Sequence, residues 1–404
     1  MSDAPLTPAP STPAPLTAAA IEELRGALDA GLAAELDAAI SLRHELHAAP
    51  DLSGVEGPTA RRVAAALGDP GAPQVAGTGR LLRIGPATGP SVAVRGELDG
   101  LPVTEQTGVA WAAPAGAMHA CGHDVHLAAL TALGRAARAV ELPVALLAVL
   151  QPREETFPSG ALDIVDAGVL QAHRACAVIG VHLQHALPSG TIGAATGPVN
   201  AASDELQIVV TGTAGHAGYP HLAVNPVPAL CAAVLALQQA ASRLTDPTHT
   251  VALSVGAVSG GRAPNVIPET ATALASLRTF DPADRARLHQ ELAQIVASTS
   301  AGYGCRGELK ITLGEPPLVN DPELTTASWP WLGRAGFAVA DDFRSCGADD
   351  FSYYSQCAPA LMLFTGTPGT TTLHHPKFLP PDEMVGEVAR AMLAGYLGAL
   401  TLAG

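Results

Sequence analysis

Val144-Ala-Leu-Leu-Ala-Val-Leu150, entered from Pro143 and followed at once by Gln151-Pro-Arg-Glu-Glu155, is the stretch on which the fold turns. Seven consecutive apolar residues are too few to span a bilayer and read as a strand buried on both faces, the mark of a parallel sheet. Two adjacent carboxylates at the end of such a strand stand where open α/β sheets place their sites. Neighbouring glutamates point different ways, so one can ligate a metal while the other holds a water. Adjacent glutamates are more often a solvated turn, and it is their position that argues for chemistry.

Working outward, strand-like and helical segments alternate. Leu81 to Ile84, Ser91 to Val94 and Ala177 to Val181 read as strands; Thr17 to His47, His126 to Ala139 and Gly160 to Ala167 read as helices. The alternation predicts an α/β domain with a largely parallel sheet. After Asn200 the character changes. Strands at Asp204 to Thr211, Thr250 to Val258, Thr270 to Thr279 and Glu308 to Thr312, with helices at Pro226 to Ala241 and Pro282 to Ser298, follow the split order of a ferredoxin-like sandwich. The expected organisation is therefore a Pro-rich flexible tail over 1–16, a catalytic domain over 17–200 and 315–404, and an inserted α+β domain over 201–314.

Composition narrows the function. The 404 residues carry 22 Lys+Arg against 37 Asp+Glu, a formal charge of −15, and only Lys310 and Lys377 are lysines. Such a chain repels nucleic acid and anionic membranes. Six scattered cysteines do not make a secreted disulfide framework, and the Pro/Ala/Thr-rich beginning lacks the pattern of a signal peptide. A cytoplasmic, soluble protein is expected.

The densest chemistry is Met118-His-Ala-Cys-Gly-His-Asp-Val-His126. Gly122 between Cys121 and His123 allows a tight backbone that turns a thiolate and an imidazole to one ion, a pairing suited to zinc or another borderline metal. His182 closes the 177–181 strand, and Leu373-His-His-Pro376 adds a further pair in a loop. Cys121, His123, Glu155, His182 and His374 are too many ligands for one tetrahedral zinc and about right for a two-metal site. His216, within Gly212-Thr-Ala-Gly-His216, and Asn265, within Gly260-Gly-Arg-Ala-Pro-Asn265, read from spacing alone as ordinary turn residues. Arg278 could meet a substrate carboxylate or be a plain surface arginine.

Taken together, and in order, the motifs resemble those of the aminoacylase-type amidohydrolases among the dinuclear metallopeptidases, the group of hippurate hydrolase, indole-3-acetyl-amino acid hydrolase and N-acetyl-diaminopimelate deacetylase. The resemblance runs from about Leu42 to Glu383. It rests on Arg43-His-Glu-Leu-His47, Arg95-Gly-Glu-Leu-Asp-Gly-Leu-Pro102, the Cys-Gly-His and Glu-Glu stretches, Gly180-Val-His182, Gly215-His-Ala217, Asn265-Val-Ile-Pro-Glu269, Gly347-Ala-Asp-Asp-Phe351 and Leu373-His-His-Pro376. It implies a metallopeptidase-like catalytic domain with an inserted lid and dimerisation domain. It also implies two divalent ions, zinc or manganese, with cobalt or nickel as further candidates. Cys121 would bridge them, Glu154 would be the general base, and His216 and Asn265 would contact substrate, the histidine from a partner subunit in a homodimer. The implied reaction is hydrolysis of N-acyl amino acids or related amides, with dipeptide hydrolysis or a catalytically silent homologue as alternatives. Glu97 stands where the family usually has Asp, and residues 156–159 and 183–185 also depart from its pattern.

Overall fold

In the computed structural model, which describes residues 16–114 and 116–403, the Ala145–Gln151 strand is buried at every position. It pairs in parallel with Ser91–Glu97, which pairs in parallel with Ala175–Gln184, which pairs in parallel with Ala360–Gly366. These four strands are the centre of an eight-stranded sheet. The expected tail over 1–16 lies outside the described residues apart from Leu16.

The sheet is mixed rather than parallel throughout. Gly79–Ile84 runs antiparallel to Ala145–Gln151, and Thr191–Gly193 antiparallel to Ala360–Gly366. The reason is connection length. Only residues 85–90 join Gly79–Ile84 to Ser91–Glu97, and only 185–190 join Ala175–Gln184 to Thr191–Gly193. A parallel return needs a crossover of about a dozen residues, so chains this short must come back reversed.

Three long helices, Ala18–His47, His123–Arg138 and Glu383–Ala403, cover one face of the sheet and share its larger apolar core. Thr17 caps the first, its hydroxyl accepting from Ala20 N at 3.2 Å. The second begins at His123, three residues before the sequence suggested, because Gly122 adopts φ +88° and turns the chain directly into the helix. A Cβ at Gly122 would lie 2.6 Å from Leu183 Cδ1. On the other face, a smaller core gathers Phe351, Tyr354, Ile164 and Leu170.

Residues 202–313 build a separate four-stranded antiparallel sheet in the order Val251–Gly260, Thr270–Thr279, Ala202–Thr211, Arg306–Leu313. Helices Pro226–Arg243 and Pro282–Gly302 pack on one face around a core of their own. This is the split arrangement expected from the sequence. Both helices start at an Asx-Pro step: Asn225 accepts from Val227 N, and Asp281 from Ala283 N and Asp284 N. The sheet's other face is open.

Behind the central strand the chain doubles back sharply. Gly160 N donates to Arg153 O at 3.1 Å, and a Cβ at Gly160 would stand 1.7 Å from the Pro152 carbonyl oxygen. Backbone cannot yield as a side chain does. Gly160→Ala is expected to cost about 1–3 kcal/mol or more, read as a lower urea midpoint at unchanged m-value.

Candidate metal centre and cleft

The proposed donors come from the turns and loops that follow central strands, and from one helix start. Cys121 and His123 bracket Gly122 at the start of the His123–Arg138 helix, Glu154 and Glu155 follow the Ala145–Gln151 strand, and His182 lies near the end of Ala175–Gln184. His374 comes from the loop after Ala360–Gly366, in a left-handed backbone at φ +64°. Its N–H donates to Ala120 O at 2.8 Å, which ties that loop to the Cys121 turn. The five converge. Cys121 Sγ lies 3.3 Å from His182 Nε2, His374 Nε2 lies 3.4 Å from Glu155 Oε1, and donor atoms of Cys121, His123 and Glu155 all lie within 4.8 Å of one another.

The rings are aimed. His123 Nδ1 donates to Asp99 O at 2.8 Å and His182 Nδ1 to Leu183 O at 2.7 Å, which turns each Nε2 inward. Asp99 also accepts from Ser53 Oγ at 2.7 Å and from Glu155 N at 3.0 Å, fixing the acidic turn. Behind them, Glu97 accepts from His126 Nδ1 at 3.0 Å, and His126 Nε2 accepts from Leu183 N at 3.2 Å. A further buried network holds the loops together. Arg43 reaches Asp124 at 3.2 Å, Asp382 at 2.7 Å and Pro380 O at 2.5 Å.

These residues fit metal ions. Buried His123 Nε2, Glu155 Oε1 and Asp99 Oδ1 have no hydrogen-bond partner among the described residues, a costly arrangement unless a cation answers it. Burial works against charge on His123, yet Asp99, Glu97 and Glu155 outweigh it and carry its pKa up to about 10. Burial, and after it the charges of Glu155, Glu154 and Glu97, push the Cys121 thiol well above its usual value. The field therefore demands positive charge at this point, and a divalent ion supplies it while drawing the proton off the thiol. His182, by contrast, is lowered to about 4 by burial and by His126, so its lone pair is free.

Glu154 belongs to a second acidic group with Asp349 and Asp350. Asp349 and Asp350 are held by Arg95 Nη2 at 2.8 and 3.0 Å, and Arg95 also pairs with Glu97 and donates to Gln151 Oε1 at 3.0 Å. Glu154 has no such bond. Burial and the charges of Glu155, Asp349 and Asp350 hold its carboxyl well above the usual range, whereas His374 and His123 keep Glu155 ionised against its burial. One carboxyl of the adjacent pair is thus disposed to take and give a proton and the other to stay charged.

A cleft of about 440 Å³ opens over this surface, its walls including Cys121, Glu154, His182, His374 and Asp349. Its far side comes from the seam with the four-stranded sheet, at Ser203, Arg278 and Glu315. Arg278, ambiguous in the sequence, thus faces the donors. His216 and Asn265 do not line this cleft. They are neighbours on the exposed Gly215–His216 and Val266–Ile267 ladder, where Ala217 N donates to Asn265 O at 3.1 Å. Gly218 N donates to His216 Nδ1 at 3.0 Å, leaving Nε2 as an outward donor. Sequence reasoning assigned no role to Asp99, Asp349 or Arg95, although all three fall inside motifs it quoted. It missed Glu315 altogether.

Soft and hard donors around one cleft, beside a carboxyl left free to move protons, define a metal-dependent hydrolase. The chain belongs to Peptidase family M20/M25/M40, which matches residues 93–394. It is 33% identical over 353 residues to the N-acetylcysteine deacetylase of Bacillus subtilis (strain 168), covering 85% of this chain and 92% of that one. It is 32% identical over 371 residues to the N-acetyldiaminopimelate deacetylase of the same organism, with 90% and 98% covered. Among solved structures, a dinuclear metal-binding M20 peptidase from Bacillus subtilis superposes with a TM-score of 0.79 at 29% identity, covering 90% of this chain and 98% of that one.

A metal held by Cys121 and His123 would displace protons from both, and both have raised proton affinities. Apparent affinity should therefore weaken as pH falls, by up to about tenfold per pH unit for each proton displaced, as followed by competition with a chelator. Cys121→Ser should lower metal content and activity together, while Cys176→Ser, Cys231→Ser and Cys305→Ser leave both near wild type. Full occupancy and turnover in Cys121→Ser would return that cysteine to a packing role.

Proposed function

We propose that this protein is an amidohydrolase that cleaves the amide bond of N-acyl amino acids with two divalent ions per subunit. The observation that carries the reading is the juxtaposition, across one cleft, of the Cys121–His123 and Glu154–Glu155 donor turns with Arg278. Cys121, as the shared ligand, with His123, Glu155, His182 and His374 would hold the two ions. The thiolate and imidazoles suit zinc, the Glu155 carboxylate also admits manganese, and cobalt or nickel can substitute. When bound, the ions activate the attacking water and polarise the scissile carbonyl.

Glu154, held by no hydrogen bond among the described residues and with a raised pKa, accepts the water proton and returns it to the leaving nitrogen. Arg278 receives the carboxylate of the amino acid being released. Residues 17–200 and 315–404 act as the catalytic domain and 201–314 as a lid that also joins two subunits. In that dimer His216, with Nε2–H pointing outward, and Asn265 serve the partner's cleft, where the imidazole steadies the developing oxyanion. All six cysteines are free, which fits a cytoplasmic location. No described helix is long and apolar enough to cross a membrane.

The test is hydrolysis of an N-acyl amino acid library with zinc, manganese and cobalt in turn; turnover of dipeptides alone would make the protein a peptidase. Glu154→Gln is nearly isosteric and leaves Glu155 to ligate. It should keep both ions while losing about 10²–10⁴-fold in kcat, and metal analysis showing depletion instead would mean that the two glutamates have exchanged roles.

A further inference from the structure

Behind the cleft, Glu97, His123, His126 and His182 offer donor atoms that all lie within 4.8 Å of one another. Glu97 and His126 stand outside the five-ligand set, and both are fully buried. Such a cluster invites a cation of its own, but two of its members are already engaged on both sides. One carboxylate oxygen of Glu97 accepts from Arg95 Nη1 and the other from His126 Nδ1, the latter at 3.0 Å. His126 Nε2 in turn accepts from Leu183 N at 3.2 Å. Both ring nitrogens are spent on protein partners, so this imidazole is not a ligand.

The protons along this chain can be placed. A guanidinium and a backbone amide can only donate. Burial opposes charge on Glu97, yet Arg95 and then His126 hold its carboxyl well below the usual range, so both of its oxygens accept. His126 must then carry its proton on Nδ1 and keep Nε2 bare, as the Leu183 amide requires. A proton on Nε2 would set two N–H groups against each other.

Leu183 is where this chain meets the metal donors. Its carbonyl accepts from His182 Nδ1 at 2.7 Å, the bond that turns His182 Nε2 inward. Its side chain lies against the Cys121 turn, with Cδ1 only 2.6 Å from where a Cβ on Gly122 would stand. The rings of His126 and His182 also pack edge to face, their centroids 4.9 Å apart.

We propose that Glu97 is a positioning residue for His182: by fixing the tautomer of His126 it holds the Leu183 backbone, and with it the aim of the His182 ring. The inference rests on the two-metal reading above, in which His182 is a ligand.

The decisive variant is E97Q, which keeps the shape of the side chain and reverses hydrogen-bond polarity at one atom. Arg95 claims the carboxamide oxygen, so the amide NH2 faces His126 and drives its proton onto Nε2, against Leu183 N–H. Nitrogen NMR of ring-labelled apo-protein, with the His126 signal identified by its loss in H126L, should report Nδ1–H in the wild type and Nε2–H in E97Q. Chelator competition on the zinc-loaded full chain should show one of two ions held about 10–100-fold more weakly in E97Q, the other changed by less than about threefold. H126L should weaken the same ion to a similar degree. Adding E97Q to H126L should cost less than about threefold more, since both changes cut one chain. If E97Q does not fold, the wild-type tautomer and the ion affinities of H126L decide.

A residue that merely packs would lower the melting temperature of the apo-protein and leave both ion affinities as in the wild type. That result, additive losses in the double variant, or Nε2–H on the wild-type ring overturns the proposal. A third ion per subunit that is lost in E97Q would make the cluster a metal site and overturn it as well. Each of these outcomes leaves the two-metal centre standing. Wild-type protein that binds no divalent ion removes that reading and this one with it.

Discussion

The guanidinium of Arg95 is the cation on which the catalytic edge hangs. It is fully buried at the end of the Ser91–Glu97 strand and gathers Glu97, Gln151, Asp349 and Asp350. Without it, three acidic side chains would crowd one low-dielectric pocket, where removing one partner of a buried ion pair typically costs about 3–5 kcal/mol. Its geometry also decides what remains uncompensated. Glu97, Asp349 and Asp350 bond to Arg95 whereas Glu154 does not, and its carboxyl is the one whose pKa stands well above the usual range.

The same economy of charge organises the metal pocket. Asp99 holds His123 through its carbonyl and the Glu155 amide through its carboxylate, so one residue sets the distance between two donors. Arg43 does the equivalent at longer range, bonding at once to Asp124, beside His123, and to the Pro380 and Asp382 segment that follows His374. Metal ligands kept in place by such outer contacts typically lose about 10–100-fold in affinity when the contact is removed. The helix from Ala18 to His47 thus does more than cover the sheet, since its last turn supplies the arginine that registers two donor loops.

The central strands were legible because parallel-sheet strands are apolar on both faces, and the second sheet because Asp204 to Thr211 alternates with period two. The stretches that converge on the cleft stood out because Cys-Gly-His and Glu-Glu are compact in sequence. The antiparallel flanks were not, since strand direction follows from loop length and pairing partner rather than from the strand's own residues. Arg278 stayed ambiguous and Glu315 invisible for a related reason. Each is a single charged residue in an ordinary segment, and only the packing of two sheets against one another brings either to the donors.

The donors differ sharply in their access to water. Cys121, His123 and His182 are buried, whereas the side chain of His374 is 54% exposed at the rim. With His374 as a ligand, such a centre would be one-ended: ions would enter and leave past this rim, and the position nearest it would exchange first. Chelation should accordingly be stepwise in time, with a partly loaded protein persisting between two losses, so that resistance to metal starvation would be governed by one exposed histidine at the rim more than by the depth of the pocket behind it.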